Sequence, residues 1–154
     1  MASTIAHLLD KIESRTARVG VVGLGYVGLP LAVEFARSGF NVLGIDLDAR
    51  KVQAISNGTS YLPDVPNADV EALTRTGHLR ATTDVAAVAG LDTINICVPT
   101  PLRKTKDPDL TYIVSAVEAI AAHLRPGMLV VLESTTYPGT TQELVQPILE
   151  RTGL

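Results

Sequence analysis

The sequence predicts an α/β fold in which a doubly wound parallel sheet carries helices on both faces. Short apolar, β-branched runs alternate with helical segments along the 154 residues. These runs lack strict polar alternation, which is typical of strands that are buried on both faces. Two of them lie on either side of one helix within under 30 residues, the spacing of a strand–helix–strand unit.

That first unit is built from residues 18–46. The run 18–23 predicts a buried strand, a helix follows over 26–38, and 41–46 predicts the second strand. Gly39 fits the left-handed end of the helix between them.

The segment ahead of the first strand mixes apolar and charged residues, so we expect an amphipathic surface helix over 1–16. It lacks the unbroken apolar stretch of a secretory signal. We therefore divide the chain into an N-terminal helical extension, 1–17, and a main domain, 18–154.

The rest of the chain is predicted to alternate helix and strand around one irregular loop. Pro63 and Pro66 make 59–67 a loop. The other predicted elements are helices at 49–56, 68–75, 111–124 and 139–150, and strands at 78–82, 92–98 and 128–133. The complete fold places one more strand beyond the last helix, so we expect the chain to be a fragment, possessing a sheet without its last strand.

Composition excludes several classes of function. Thirteen basic and 16 acidic residues give a net charge of -3, without the basic excess that matches nucleic acid or anionic lipid. No stretch approaches the roughly 20 apolar residues that cross a bilayer. One cysteine allows no internal disulfide, and a reducing cytoplasm is the expected compartment.

Residues 23–28, GLGYVG, match the pattern G-x-G-x-x-G between a predicted strand and a predicted helix. Glycines also mark ordinary turns, but this context indicates the dinucleotide-binding loop of a Rossmann fold. Gly23 permits the tight turn, Gly25 lets a pyrophosphate approach the backbone, and Gly28 lets helix and strand pack closely. The free amides of Tyr26 and Val27 are expected to face the phosphates.

Asp46 lies 18 residues past Gly28 at the end of the second strand, where a carboxylate accepts hydrogen bonds from the adenosine ribose. A 2′-phosphate there would face like charge, with a repulsion on the order of 4 kcal/mol at about 4 Å before screening. The predicted cofactor is therefore NAD and not NADP. Arg50 and Lys51 weakly favour NADP, because a cation near the ribose could bind the 2′-phosphate. The alternative is that they are only solvated residues at the start of a helix.

Four segments together resemble the UDP-glucose/GDP-mannose dehydrogenase family. They are VGLGYVGLP at 22–30, ICVPTP at 96–101, DPDLTY at 107–112 and ESTTYPGTT at 133–141. The resemblance runs from about Arg18 to Glu150. It implies the NAD-binding domain of a nucleotide-sugar 6-dehydrogenase, an enzyme that oxidises the C6 alcohol of a UDP-sugar to a carboxylate with two NAD.

In that family a cysteine-bound thioester forms in a later domain. The resemblance therefore implies that this chain lacks the central and C-terminal domains and is inactive alone. We also expect the full-length enzyme to be a homo-oligomer. The resemblance also assigns residues to the cofactor. Asp46 and Lys51 would meet the adenosine half, and Thr100, Ser134 and Thr135 would line the nicotinamide half. Thr135 would also act in catalysis by helping to place water.

Two departures from the family pattern bear on the sugar. Leu102 stands where many relatives have threonine, and Glu133 where many have lysine. With the segment YLPDVP at 61–66, Glu133 resembles the branch that acts on UDP-N-acetylhexosamines, although UDP-glucose stays open.

Other chemistry-bearing residues have structural interpretations. Cys97 lies in an apolar strand, where a small buried thiol is normal. The three histidines show no metal-ligand spacing, so no metal site is predicted; they are His7, His78 and His123. A basic loop either contacts a diphosphate or is simply solvated; its members are Arg103, Lys104 and Lys106.

Two other functions remain open: an NAD-sensing regulatory module and the cofactor domain of a hydroxyacid dehydrogenase. A sensor does not need the loops 98–101 and 134–135 beside a nicotinamide. A hydroxyacid dehydrogenase would share the glycine loop and the acidic residue but use a lysine or histidine from a later helical domain.

Overall fold

A computed structural model describes residues 2–104 and 107–154. Its five strands form one parallel sheet in the order β3-β2-β1-β4-β5, with helices packed on both faces. The predicted doubly wound α/β fold is confirmed. The strands are β1 (Arg18–Val22), β2 (Asn41–Ile45), β3 (Leu79–Thr82), β4 (Thr93–Ile96) and β5 (Leu129–Leu132). The helices are α1 (Ala2–Glu13), α2 (Gly28–Arg37), α3 (Ala49–Ser56), α4 (Asn67–Arg75), α5 (Thr111–Ala121) and α6 (Gln146–Glu150).

Apolar residues bury both faces of the sheet, as the unbroken β-branched runs predict. Along β1, Val21 belongs to one core and its neighbour Val22 to the other, because successive side chains of a strand point to opposite faces. The first core joins the sheet to α2, α3 and α4. The second joins it to α5 and α6.

The order in which the strands are added to the sheet changes direction between β1 and β4. From β1 the chain proceeds outward through β2 to β3, then returns to pair β4 with β1 on the other side, with Val22 opposite Ile96. Ligands of open α/β sheets bind outside the carboxyl ends of the strands at such a switch point. A ligand site is therefore expected at the loops that follow β1, β2, β4 and β5.

The predicted helix over 139–150 is wrong in its geometry. A π-helical turn, Thr141–Val145, replaces its first part, and only Gln146–Glu150 is α-helical. Pro147 has no N–H, and its ring would clash with the carbonyl four residues earlier, so a regular α-helix cannot run through this point.

Two further boundaries differ from the predictions. The helix predicted over 111–124 ends at Ala121, and Pro126 disfavours helical backbone in the residue before it. Between β3 and β4 the chain forms a 3₁₀ turn, Val85–Gly90, which no apolar periodicity signalled. Asp84 caps that turn by accepting a hydrogen bond from the N–H of Ala86.

The first helix, α1, ends before Ser14 and is held to the amino end of the sheet by a charge cluster around Asp92. This carboxylate, at the start of β4, accepts hydrogen bonds from Lys11 Nζ at 2.8 Å and from the backbone N–H of Arg18 at 2.8 Å. Arg125 Nη2 donates to it at 3.2 Å. Asp92 thus connects α1, β1 and the loop before β5. The division at residue 17 stays a prediction.

Within residues 2–104 and 107–154, no helix combines the length and the apolar character needed to cross a membrane.

Candidate functional site

A cleft of about 310 Å³ opens over the carboxyl ends of β1, β2, β4 and β5. Residues from all four following loops line it: Gly23, Gly25, Tyr26, Val27, Asp46, Lys51, Cys97, Val98, Pro99, Thr100, Glu133, Ser134 and Thr135. The structure therefore brings together every site residue that the sequence predicted except Gly28. Gly28 lies behind the cleft wall.

The three glycines of the loop 23–28 meet three different steric demands. Gly23 has φ +92°, and a Cβ there would lie 2.7 Å from the carbonyl oxygen of Cys97. Gly28 is buried, and its Cβ would lie 1.7 Å from the carbonyl oxygen of Gly23. At Gly25 a Cβ would meet nothing within 4 Å. Gly25 therefore borders open space, whereas Gly23 and Gly28 are required by protein packing.

The loop leads into α2 later than the sequence predicts. The helix begins at Gly28 and not at Tyr26, so Tyr26 and Val27 lie in the loop and are 80% and 59% exposed. Leu29 N–H closes a helical hydrogen bond to the carbonyl of Gly25 at 3.1 Å. The amides just before it belong to the helix N-terminus, where N–H groups attract anions.

Asp46 holds the glycine loop in addition to bordering the cleft. Its Oδ2 accepts hydrogen bonds from the buried N–H of Leu24 at 2.8 Å and from Lys51 Nζ at 2.9 Å. Its Oδ1 accepts from the N–H of Asp48 at 2.9 Å. A carboxylate offers about four acceptor positions, so capacity for a further donor remains.

Tyr61 also contacts the glycine loop, and it was not among the site residues predicted from the sequence. Its hydroxyl donates to the carbonyl of Leu24 at 2.6 Å. Burial raises the pKa of Tyr61, and the charges of Asp46 and Asp48 add to the effect. The phenol therefore stays protonated and remains a donor. The YLPDVP segment marked this loop, but nothing in the sequence paired it with Leu24.

Arg50 and Lys51, the two cations that could bind a 2′-phosphate, both have carboxylate partners. Lys51 forms an ion pair with Asp46, and Arg50 contacts Asp48 through Nε at 3.0 Å and Nη2 at 2.8 Å. The side-chain hydrogen bond from Arg50 lowers the pKa of Asp48 to about 2. Arg50 is 91% exposed and does not line the cleft.

The far half of the cleft is formed by the loops after β4 and β5. Ser134 Oγ donates to the carbonyl of Val98 at 2.8 Å and so ties the two loops together. Thr100 and Thr135 border the same space, each with a hydroxyl that both donates and accepts. Glu133 lies beside them with an exposed carboxylate.

Cys97 is a buried thiol at the base of the cleft. Burial raises its pKa to about 11, and the nearby charge of Glu133 contributes. A thiol in this state is protonated at neutral pH and is a poor nucleophile. Its environment agrees with the structural interpretation of the sequence.

Among the described residues, the three histidines, Arg103 and Lys104 do not line the cleft. No group of three or more His, Cys, Asp or Glu side chains suited to a metal ion occurs among the described residues. Arg103 is paired with Asp109 at 3.0 Å, and hydrogen bonds from Thr111 foremost, then from Arg103, lower the pKa of Asp109 to about 2. Lys106 lies outside the described residues.

Together the parallel sheet, the glycine loop and the cleft at the switch point define a Rossmann domain for a dinucleotide. Residues 17–153 match the UDP-glucose/GDP-mannose dehydrogenase family, NAD binding domain, and the chain belongs to this family. Its cofactor is NAD. The resemblance seen in the four sequence segments is confirmed.

Similar proteins support this family assignment. The chain is 38% identical over 139 residues to UDP-N-acetyl-D-mannosamine dehydrogenase of Pyrococcus horikoshii, which covers 89% of this chain and 33% of the relative. It is 38% identical over 134 residues to UDP-N-acetyl-D-glucosamine 6-dehydrogenase of Salmonella typhi, covering 87% and 31%. The chain thus spans about a third of the length of these relatives.

Solved structures show the same relationship. A GDP-mannose dehydrogenase from Pseudomonas aeruginosa superimposes with a TM-score of 0.83 at 35% identity, over 88% of this chain and 32% of that one. An (S)-3-hydroxybutyryl-CoA dehydrogenase from Ralstonia eutropha reaches a TM-score of 0.62 at 16% identity, covering 88% and 46%. This second likeness concerns the fold alone.

Proposed function

We propose that NAD lies across the cleft from β2 to β5. The adenosine ribose would bond to Asp46 with Lys51 beside it, and the diphosphate would contact the backbone of 25–27 at the start of α2. The nicotinamide would lie beside Thr100, Ser134 and Thr135. The observation that supports this orientation is the single cleft that joins the ribose carboxylate, the open glycine and both far loops.

We further propose that the whole protein is a UDP-N-acetylhexosamine 6-dehydrogenase. NAD, when bound, would accept the hydride that leaves C6 of the sugar, and Thr135 would place water near the reacting carbon. Two relatives of this chain bear the names of UDP-N-acetyl-D-mannosamine and UDP-N-acetyl-D-glucosamine dehydrogenases. We expect a homo-oligomer of the cytoplasm, with the UDP-sugar bound largely by residues outside this domain.

The two alternatives account less well for the far half of the cleft. An NAD sensor does not need hydroxyl side chains at the end of the cleft where the nicotinamide would lie. The hydroxyacid dehydrogenase alternative is supported by likeness of fold only, because the similar structure of that kind shares 16% of its sequence.

Calorimetric titration of the chain with NAD, and separately with NADP, tests the proposed cofactor geometry. We expect NAD to bind and NADP to bind more weakly. Equal affinity for both would contradict the role of Asp46, and absence of NAD binding would contradict the proposed site. The substrate is tested on the full-length protein by NAD reduction with UDP-N-acetylhexosamines and with UDP-glucose.

Replacing Asp46 with Asn should narrow the preference for NAD over NADP by about tenfold, as it removes the charge that repels a 2′-phosphate. Asn retains an acceptor for the N–H of Leu24, whereas Ala would leave that buried donor unpaired at a cost of about 1–3 kcal/mol. The measurement is the ratio of the two dissociation constants. Asp10→Asn, an exposed carboxylate on α1, is the matched control, and an equal ratio in wild type and Asp46→Asn would refute the role.

A further inference from the structure

The charged groups that line the cleft are unevenly distributed. Among the described lining residues they are Asp46, Lys51 and Glu133. Asp46 and Lys51 form an ion pair at 2.9 Å, so the pair as a whole adds no net charge to the cleft. Glu133, after β5, is a carboxylate at the other end of the cleft. That end therefore carries a net negative charge among its lining residues.

Strand order fixes how far apart the two ends are. Asp46 follows β2 and Glu133 follows β5, and β1 and β4 lie between them. Neighbouring strands are about 4.8 Å apart, so the two positions are separated by about 14 Å across the sheet. With the adenosine ribose on Asp46, as the proposed function places it, an extended dinucleotide brings its nicotinamide to the end where Glu133 lies.

The charge of Glu133 acts inside the cleft as well as toward solvent. It contributes to the raised pKa of Cys97, whose buried thiol lies at the base of the same cleft. The wall on this side includes the apolar residues Val98 and Pro99. Apolar walls screen a charge less than bulk water does.

We propose that Glu133 makes the site favour NAD+ over NADH. The nicotinamide ring carries a positive charge in the oxidised cofactor and none in the reduced one. A carboxylate near that ring therefore stabilises bound NAD+ by Coulombic attraction and gives bound NADH no matching gain. The difference in affinity belongs to the ring, because the rest of the two cofactors is the same. This inference rests on the proposed orientation of NAD.

The preference for NAD+ over NADH affects cofactor exchange in a reaction that uses two NAD in succession. The first NADH must leave before the second NAD+ enters the same cleft. Because Glu133 strengthens NAD+ binding and leaves NADH binding nearly unchanged, NAD+ competes better with the released NADH for the empty cleft. Glu133 would thus assist the exchange of cofactor between the two oxidation steps.

The test compares the chain with Glu133→Gln, which removes the charge and keeps the shape of the side chain. Affinity for NAD+ is measured by calorimetry and affinity for NADH by its fluorescence, both at low salt. We expect the ratio of the NADH to the NAD+ dissociation constant to fall about threefold to tenfold, mainly through weaker NAD+ binding. The wild-type ratio should also decline as salt rises, because salt screens an exposed charge.

Glu13→Gln is the matched control, because it removes one carboxylate from α1, which lies at the amino end of the sheet and away from the cleft. Its ratio should equal that of the wild type. If both cofactors bind and Glu133→Gln leaves their ratio unchanged, the inference is wrong while the proposed function stands. If the wild-type chain binds neither cofactor, the proposed NAD site fails and this inference fails with it.

Discussion

Gly28→Ala should lower the free energy of unfolding by about 3 kcal/mol or more, the upper range for forcing extra volume into a packed site. The added methyl would lie 1.7 Å from the carbonyl oxygen of Gly23, which is backbone and cannot rotate aside. Either the glycine loop or the start of α2 must move, and that movement also displaces the amides proposed for the diphosphate. Urea denaturation of the wild type and the variant measures the effect.

Gly25→Ala is the matched control for Gly28→Ala, because it adds the same methyl three residues earlier in the same loop. Nothing lies within 4 Å of its Cβ, so stability should stay within about 0.5 kcal/mol of the wild type. Its methyl borders the cleft, however, and NAD affinity should fall roughly tenfold, about 1.4 kcal/mol. Equal stability of the two variants would contradict the packing role of Gly28. Unchanged NAD affinity in Gly25→Ala would contradict the proposed diphosphate position.

Local sequence patterns predicted the fold and most of the cleft because each depends on residues close together in the chain. The β-branched runs marked strands buried on both faces, and the strand–glycine–helix order marked the loop 23–28. Parallel strands then bring their carboxyl ends to one edge, so Asp46, Thr100 and Ser134 could be placed together without any knowledge of side-chain contacts.

The features that sequence reasoning missed depend on contacts between distant segments. Tyr61 meets the carbonyl of Leu24 across 37 positions, and Asp92 meets Lys11 across 81. No local period encodes such pairs. The break in the last helix has a local signal in Pro147, which lacks an N–H and so disfavours one continuous α-helix over 139–150.

Asp92 is a buried carboxylate that joins several elements at the amino end of the sheet. Its side chain is 5% exposed, and its partners come from α1, β1 and the loop before β5. Burial alone would raise the pKa of Asp92. The hydrogen bonds from Arg18 N–H, Lys11 and Arg125 outweigh burial, and the pKa lies below its usual value. The ionised form is therefore the one that the folded chain stabilises.

Asp92→Ala should consequently lower the free energy of unfolding by about 3 kcal/mol, since it leaves the N–H of Arg18 without its acceptor and removes the carboxylate that pairs with three cations, Lys11, Arg18 and Arg125. Asp92→Asn should cost less, because its amide oxygen still accepts from Arg18. The comparison also predicts a pH dependence. A carboxylate whose pKa is lowered by folding contributes stability above its unfolded value, near pH 4, and that contribution is lost as the pH falls through the lower folded value.

Urea midpoints measured from pH 7 down to pH 2 should therefore decline more steeply below about pH 4 in the wild type than in Asp92→Asn, which has no proton to gain at this position. Parallel acid profiles would show that the charge of Asp92 does not hold α1 to the sheet. Lys11→Met isolates the contribution of α1, because it removes the α1 partner of Asp92 and leaves Arg18 and Arg125 in place. If α1 is docked through this ion pair, Lys11→Met should reproduce part of the loss at pH 7 and less of it as the pH falls and Asp92 becomes protonated.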